Sequence, residues 1–327
     1  MALSLNFARN HITTWQQNLS LPYYNHRQNW PRYLFHHSPL QNAVPILRSG
    51  VLCARNDPIN SRPVDVAAPG VIDNNHAAHE FVRTYFRPCT PTQYRIEGIR
   101  KPGESKYGDE SHAPFLVMFV LDAEAILTRQ GTHFSDRNMQ IPGVVYGNDE
   151  AYFSNIPFEK VFHMGGTSGD NSIIQHRCAE VLAASPMALS ETLHWIYCRS
   201  NAERETLLYQ LRGAPVDWSS RIVVSDDLKV FQREYTFVEF VRLSSDGVVF
   251  QLNPRLDWGN IAIDLRLTTV GGLPVASFIN PDFPPRPTSV LQWRHECALT
   301  PGIYHLRILL EGQLAYDNQL ELNDPLL

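Results

Sequence analysis

One carboxylate stands where the sequence otherwise reads as the start of a buried strand. In QHRCAEVL (175–182), Glu180 is flanked by Cys178 and Ala179 on one side and by Val181 and Leu182 on the other. A carboxylate held by a strand at the edge of a cleft sits in low dielectric. There it can stabilise positive charge developing on a substrate carbon and accept a hydrogen bond from a substrate hydroxyl. Strand alternation leaves a second reading, an outward-facing residue in water. A second chemical signal lies near the start. Residues 1–56 contain no Asp or Glu, yet hold Arg9, Arg27, Arg32, Arg48 and Arg55, with Trp15, Tyr23, Tyr24, Trp30 and Tyr33 among them. Guanidinium groups that pair with phosphates, interleaved with rings that stack on bases, suit single-stranded nucleic acid. The alternative is a solvated basic face whose rings belong to the core. A third signal is MGGTSGDNS (164–172), in a Gly- and Asn-rich stretch just before Glu180. It reads as a loop able to close over a ligand, or as plain surface. It is not a phosphate-binding P-loop, since no Lys-Ser/Thr follows the glycines.

The elements that must position these residues fall into two kinds. Up to about residue 224 helices and strands mix. SPLQNAVPILRSG (38–50) predicts a helix with Ser38 as N-cap, Pro39 at the first helical position, Leu40, Val44 and Leu47 on one face, and Gly50 past its end. FLVMFVL predicts a buried strand over Phe115–Leu121, and NAERETLLYQLRG a helix capped by Asn201 and ended by Gly213. After residue 225 the pattern turns to short β-branched and aromatic runs punctuated by Gly and Pro: REYTFVEFVRL, GVVFQLN, IAIDLRLTTV, SVLQWRHECAL, GIYHLRILLEG and LAYDNQLEL. About seven strands in roughly 100 residues predict an antiparallel, immunoglobulin-like sandwich. In TPGIYHLRI, Tyr304 stands where such sandwiches tie a corner. This part carries no catalytic cluster and reads as a binding, assembly or stabilising module.

Composition narrows the classes further. The 327 residues allow one large or two ordinary domains, and no apolar run is long enough to span a bilayer. The start of the chain lacks the charged and apolar regions of a secretory signal. Five scattered cysteines without a CxxC argue for a reducing cytoplasm and against both a disulfide framework and a metal site. The net charge of −5 is uneven: from Tyr235 onward ten acidic residues face six Arg and no Lys.

Three stretches taken together resemble a known family: LFHHSPLQNAVPILRSGVLCARN (34–56), NNHAAHEFVRTYFRPCTPTQY (74–94) and HRCAEVLAASPMAL (176–189). In order and spacing they are similar to the motifs Y-H-I-T-H-x-x-N-L, H-D-Y-V-P-F-Y-F-x-P-R-S-P-M-L-Y and R-x-A-E-x-L-V of the DarT family of ADP-ribosyltransferase toxins. HFSDRNM (133–139) adds a weaker match to T-D-G-N-A. The resemblance covers roughly residues 33–200. It implies an α+β ADP-ribosyltransferase fold, two packed β-sheets around an NAD cleft with flanking helices, over 1–224. The β-sandwich follows over 225–327.

The resemblance also implies an activity: transfer of ADP-ribose from NAD to a nucleobase of single-stranded DNA, with RNA open, by a toxin that a macrodomain antitoxin opposes. Glu180 then takes the catalytic place. His36 and Ser38 align with the His and Thr under the nicotinamide and its ribose, although Ser38 also serves as the helix cap. Asn42 aligns with an Asn that either reaches the cofactor or holds the turn. Arg62 is the candidate for an arginine that grips a phosphate or the target base, with Arg55 and Arg83 as rivals. Tyr85 and Tyr94 stack near the nicotinamide or pack in the core. The chain departs from the pattern at Cys89, Thr92 and Gln93, and Arg87 stands close enough to supply the charge missing at Cys89. Two other classes stay open: a degraded transferase that binds or assembles through the sandwich, and transfer to a protein or small molecule.

Overall fold

The computed structural model describes residues 2–66, 76–105, 108–253, 255–257, 259–285 and 293–323. The chain divides into two compact units. One comprises Met1–Arg95, Val117–Tyr197 and Pro215–Gln232; the other comprises Ile96–Leu116, Cys198–Ala214 and Arg233–Leu327. Two segments that precede residue 225 thus pack with the C-terminal strands.

The first unit holds β1 (Tyr33–Pro39), β2 (Val51–Leu52), β3 (Phe81–Tyr85), β4 (Leu116–Asp122), β5 (His133–Ser135), β6 (Glu180–Ala184), β7 (Met187–Ala188), β8 (Leu193–Tyr197) and β9 (Ile222–Val223). Seven of them form one sheet in the order β5-β6-β3-β1-β4-β8-β9, and β2 pairs with β7 apart from it. The expected pair of sheets is therefore one large sheet and one two-stranded ribbon among the described residues. In the large sheet β8–β9 is parallel, whereas β1–β3, β3–β6, β5–β6 and β4–β8 are antiparallel. The unbroken apolar run of β4 is buried throughout Leu116–Leu121, as a strand covered on both faces must be.

Helices flank the sheet. Leu5–Asn18 is capped by Ser4, whose Oγ accepts from the Phe7 amide at 3.3 Å. Its residues Phe7, His11 and Trp15 recur at helical spacing and meet Phe153, Phe158 and Phe162 at ring distances of 5.8, 4.3 and 5.6 Å. This separates the N-terminal rings and arginines into kinds. Trp30 is a core residue, fully buried with its indole N–H donating to the Leu228 carbonyl at 2.9 Å, whereas Trp15 is half-buried against the Phe158 and Phe162 rings. Arg9 pairs with Glu124, and Tyr23 and Tyr24 remain exposed.

Two helix caps differ from expectation. Pro39 has φ −57° and ψ 151°, so β1 runs through it and the helix begins at Leu40, with no side-chain cap. Ser38 therefore stays in the strand. The later helix, Asn201–Gln210, is capped by Ser200, one residue earlier than predicted; Ser200 is extended and its Oγ accepts from the Glu203 amide at 3.1 Å. Gly50 does close the first helix, at φ +72°.

The second unit carries β10 (Phe237–Ser244), β11 (Gly247–Asn253), β12 (Ile261–Thr269), β13 (Pro274–Phe283), β14 (Trp293–Glu296), β15 (Gly302–Leu310) and β16 (Gln313–Leu322). They form two antiparallel sheets, β10-β11-β14 and β13-β12-β15-β16. Both sheets contribute to one core, which includes Val238, Phe250, Ile263, Leu265, Leu306 and Ile308. Patterning misses β13. It is an edge strand, so it tolerates Pro274 and Pro281 that would break an interior one. Of the run expected over 289–299, only Trp293–Glu296 is a described strand; residues 289–292 lie outside the described ones.

Tyr304 ties the turn before β15 as expected, its hydroxyl donating to the Thr300 carbonyl at 2.7 Å. Replacing Tyr304 by Phe removes that one bond and keeps the ring. The expected loss is about 1 kcal/mol in urea unfolding of the full chain; an unchanged midpoint would show that the corner contributes nothing.

Candidate active site

Glu180 opens β6 with its Cα opposite Tyr85 of β3 on one side and Ser135 of β5 on the other. Tyr85 in turn lies opposite Phe35 of β1. Directly paired residues project from the same face of a sheet, so these four side chains form a row across four strands. Arg83, two residues before Tyr85, shares that face. It grips Glu180 with both ends of its fork, Nε to Oε2 at 2.8 Å and Nη2 to Oε1 at 2.5 Å. Glu180 has no exposed surface, while the Arg83 side chain keeps 21%. The exposed member of the pair is therefore Arg83, and the carboxylate itself is sealed from solvent.

Burial alone would pull the Arg83 guanidinium down, but the charge of Glu180 and its hydrogen bonds outweigh this and hold it above its usual value. The same surroundings push the Tyr85 phenol up, first through burial and then through the charge of Glu180. Tyr85 is therefore a neutral phenol beside a carboxylate, not a phenolate. His37 stacks on its ring at 5.4 Å with planes 5° apart, and burial lowers the His37 imidazole to about 3, so it too is neutral.

A polar chain extends from the pair. Arg83 Nη2 donates to Asn138 Oδ1 at 3.3 Å, and Asn138 Nδ2 donates to Thr92 Oγ1 at 3.2 Å. Thr92 Oγ1 lies 3.8 Å from Cys178 Sγ, whose thiol burial pushes up to about 11. Asn138 belongs to HFSDRNM and Thr92 to the second motif, so three separate stretches of sequence converge on Arg83 and Glu180.

The other expected residues fall around this centre in different ways. His36 Nδ1 donates to the Arg83 carbonyl at 2.9 Å, which fixes the proton there and leaves Nε2 as an acceptor; burial lowers its pKa. Ser38 is buried near the end of β1. Asn42 clasps Val64 from both sides, donating to its carbonyl at 2.8 Å and accepting from its amide at 3.1 Å. It therefore anchors the loop that carries Arg62. Arg62 makes its ion pair with Asp65, at 3.6 Å, and Asp65 also takes Arg55. Tyr94 is half exposed on the short helix Pro91–Ile96. The arginine in contact with Glu180 is the rival Arg83, not Arg62. Sequence patterning gave little reason to prefer it, because Arg83 stands where the resembled motif has Pro; only strand register shows that positions 83 and 180 meet.

The family described as "ssDNA thymidine ADP-ribosyltransferase, DarT" matches residues 35–227. Among solved structures, Thermus sp. 2.9 DarT in complex with ADP-ribosylated ssDNA is similar over 61% of this chain and 96% of its own, at 19% identity and a TM-score of 0.48. The same protein in complex with NAD+ gives 61% and 97%, 18% identity and a TM-score of 0.47. Thermosipho africanus DarTG in complex with ADP-ribose gives 66% and 55%, 14% identity and a TM-score of 0.40. No curated protein matches the chain.

The geometry makes a double-mutant cycle informative. Arg83→Gln leaves a buried carboxylate without its counter-ion and is expected to cost about 3 kcal/mol, the low end for a broken buried pair because Arg83 is partly exposed. Arg83→Gln with Glu180→Gln removes both charges and should recover most of that loss in urea unfolding. Additive losses would mean that the two side chains do not interact.

Proposed function

The chain belongs to the DarT family of single-stranded-DNA thymidine ADP-ribosyltransferases, and on that premise we propose that it moves ADP-ribose from NAD to a base of single-stranded DNA, with Glu180 as the group that stabilises the reacting sugar. The observation that carries this reading is the placement of Glu180: fully buried, ionically held by Arg83, and in register with Tyr85. Transfer breaks the nicotinamide–ribose bond and joins the anomeric carbon to a base nitrogen, which gives up its proton. Positive charge builds on the sugar in between. A carboxylate already fixed in a dry site opposes that charge without waiting for solvent to reorganise.

The residues present suit such a substrate. His36 offers an acceptor nitrogen, and Tyr85 and His37 offer aromatic surface next to the carboxylate. Arg83, the exposed half of the pair, is the first group a ligand meets on its way to Glu180. His36, Ser38, Asn42, Tyr85 and Tyr94 are read as the NAD-facing set, with Asn42 acting through the loop it clasps. Arg62 is read as a phosphate or base contact of that loop, and Arg83 as the residue that orients the carboxylate. The same reading makes the protein the toxin of a toxin–antitoxin pair, countered by a macrodomain that removes the modification.

For the second unit we propose an immunoglobulin-like sandwich acting as an assembly or docking module. Its first, second and fifth strands share one sheet and the other four share the second, with the tyrosine corner at the sixth. That arrangement supports the reading.

The test of the activity uses labelled NAD with single-stranded DNA, RNA and protein offered separately, thymidine-containing DNA being the expected acceptor. Glu180→Gln should lower transfer by at least about 10²-fold, the scale of losing a transition-state stabiliser. Label on protein alone would sink the nucleic-acid reading. Near-normal turnover in Glu180→Gln would show that another carboxylate does the work.

A further inference from the structure

Two buried arginines and one half-buried one in the first unit, Arg27, Arg87 and Arg177, have no acidic partner among the described residues. Arg87 is 2% exposed. Its guanidinium donates only to neutral groups: the Pro88 carbonyl at 3.0 Å, the Val161 carbonyl at 3.3 Å, the His163 carbonyl and Met164 Sδ. It also lies 4.9 Å from the centre of the Trp30 ring. Arg27, 8% exposed, donates to the Phe162 carbonyl at 2.8 Å. Arg177 donates to the Gly165 carbonyl at 2.5 Å and faces His163 Nδ1 at 2.8 Å. All three thus converge on the segment 161–165, with His26 and His163 beside them. No described Asp or Glu side chain pairs with any of the three.

Further signs point to a missing anion. Arg27 Nε, Arg177 Nε and His26 Nε2 are buried nitrogens without a hydrogen-bond partner. Burial draws all three arginines below their usual range, Arg87 to about 10. His163 is held down by burial and then by the three arginines. By contrast, the buried Arg199 has Glu203 and the partly exposed Arg83 has Glu180. A buried charge left uncompensated costs several kcal/mol, so a cluster of them is retained where a ligand completes it.

We infer that Arg27, Arg87 and Arg177, with His26 and His163, form a binding site for a phosphate group, and that this phosphate belongs to the backbone of the acceptor strand. The inference rests on the nucleic-acid reading above and adds where the strand is held. Tyr23 is 80% exposed and Tyr24 48% exposed, beside Arg27, and offer rings to flanking bases. The Arg27 guanidinium lies 5.4 Å from the Tyr24 ring centre. Gly165 and Gly166 are exposed and carry no side chain to bar a sugar–phosphate chain. Arg177 stands three residues before Glu180, which ties the phosphate contact to the reacting base.

The test uses the full chain carrying Glu180→Gln, so that binding is read without turnover. Arg27→Gln and Arg177→Gln, added singly, should each weaken binding of a fluorescent single-stranded oligonucleotide about tenfold at low salt. Each should also reduce the slope of log affinity against log salt by about 0.7. Arg177→Lys should keep most of the slope, and the Kd for NAD should stay unchanged. A second arm avoids the strand: inorganic phosphate, against chloride at equal ionic strength, should raise the melting temperature of the parent more than that of either Gln variant. Oligonucleotide affinity and slope untouched by the substitutions would overturn the inference, as would a loss confined to NAD. If the parent binds no single strand at all, the acceptor reading fails, and the phosphate arm still decides whether the cluster holds an anion.

Discussion

The bidentate contact between Arg83 and Glu180 couples two neighbouring strands of the large sheet, β3 and β6. It does two physical jobs at once. It makes burial of a carboxylate tolerable in a region surrounded by Val181, Leu182 and Tyr85. It also fixes the direction of both oxygens, because a planar fork accepts a carboxylate in one plane only. The row Phe35, Tyr85, Glu180 and Ser135 then follows from strand register, and the chain through Asn138 to Thr92 holds the fork from behind. A slip of one residue between β3 and β6 would send Glu180 to the opposite face from Arg83, so the ion pair depends on the strand register.

The first unit treats buried guanidinium groups in two ways. Arg83 is neutralised by a side chain. Arg87 is surrounded by carbonyl oxygens and an indole, which bring partial negative charge but no full counter-ion. The first arrangement makes a stable local charge pair; the second leaves a positive potential. Glu180 follows Arg177 by three residues, so the two environments are connected through one short turn, in which the Cys178 and Ala179 amides bond back to Gln175 and His176.

Much of this was readable from residue types. Glu180 between apolar neighbours, the buried run of β4, the closing role of Gly50 and the corner at Tyr304 are local signals, each set by a few adjacent residues. What escaped was long-range. Arg62 and Arg83 are alike in sequence terms, and only the pairing of β3 with β6 selects Arg83 as the partner of Glu180. Asn138 and Thr92 gain their meaning from each other across 46 residues. The strand at Pro274–Phe283 escaped because its edge position permits prolines that patterning treats as breakers. The Ser38 cap failed for a subtler reason: Pro39 adopts an extended ψ, which the sequence leaves open.

The make-up of the sandwich unit bears on how such a protein is assembled in evolution. Its core includes Ile99 and Ala202, from segments that lie far upstream of the strands. Recombination at a single junction near residue 225 would carry off the strands and leave these pieces of their interior behind. Exchange of this module between genes therefore requires several breakpoints or co-inheritance of the whole chain.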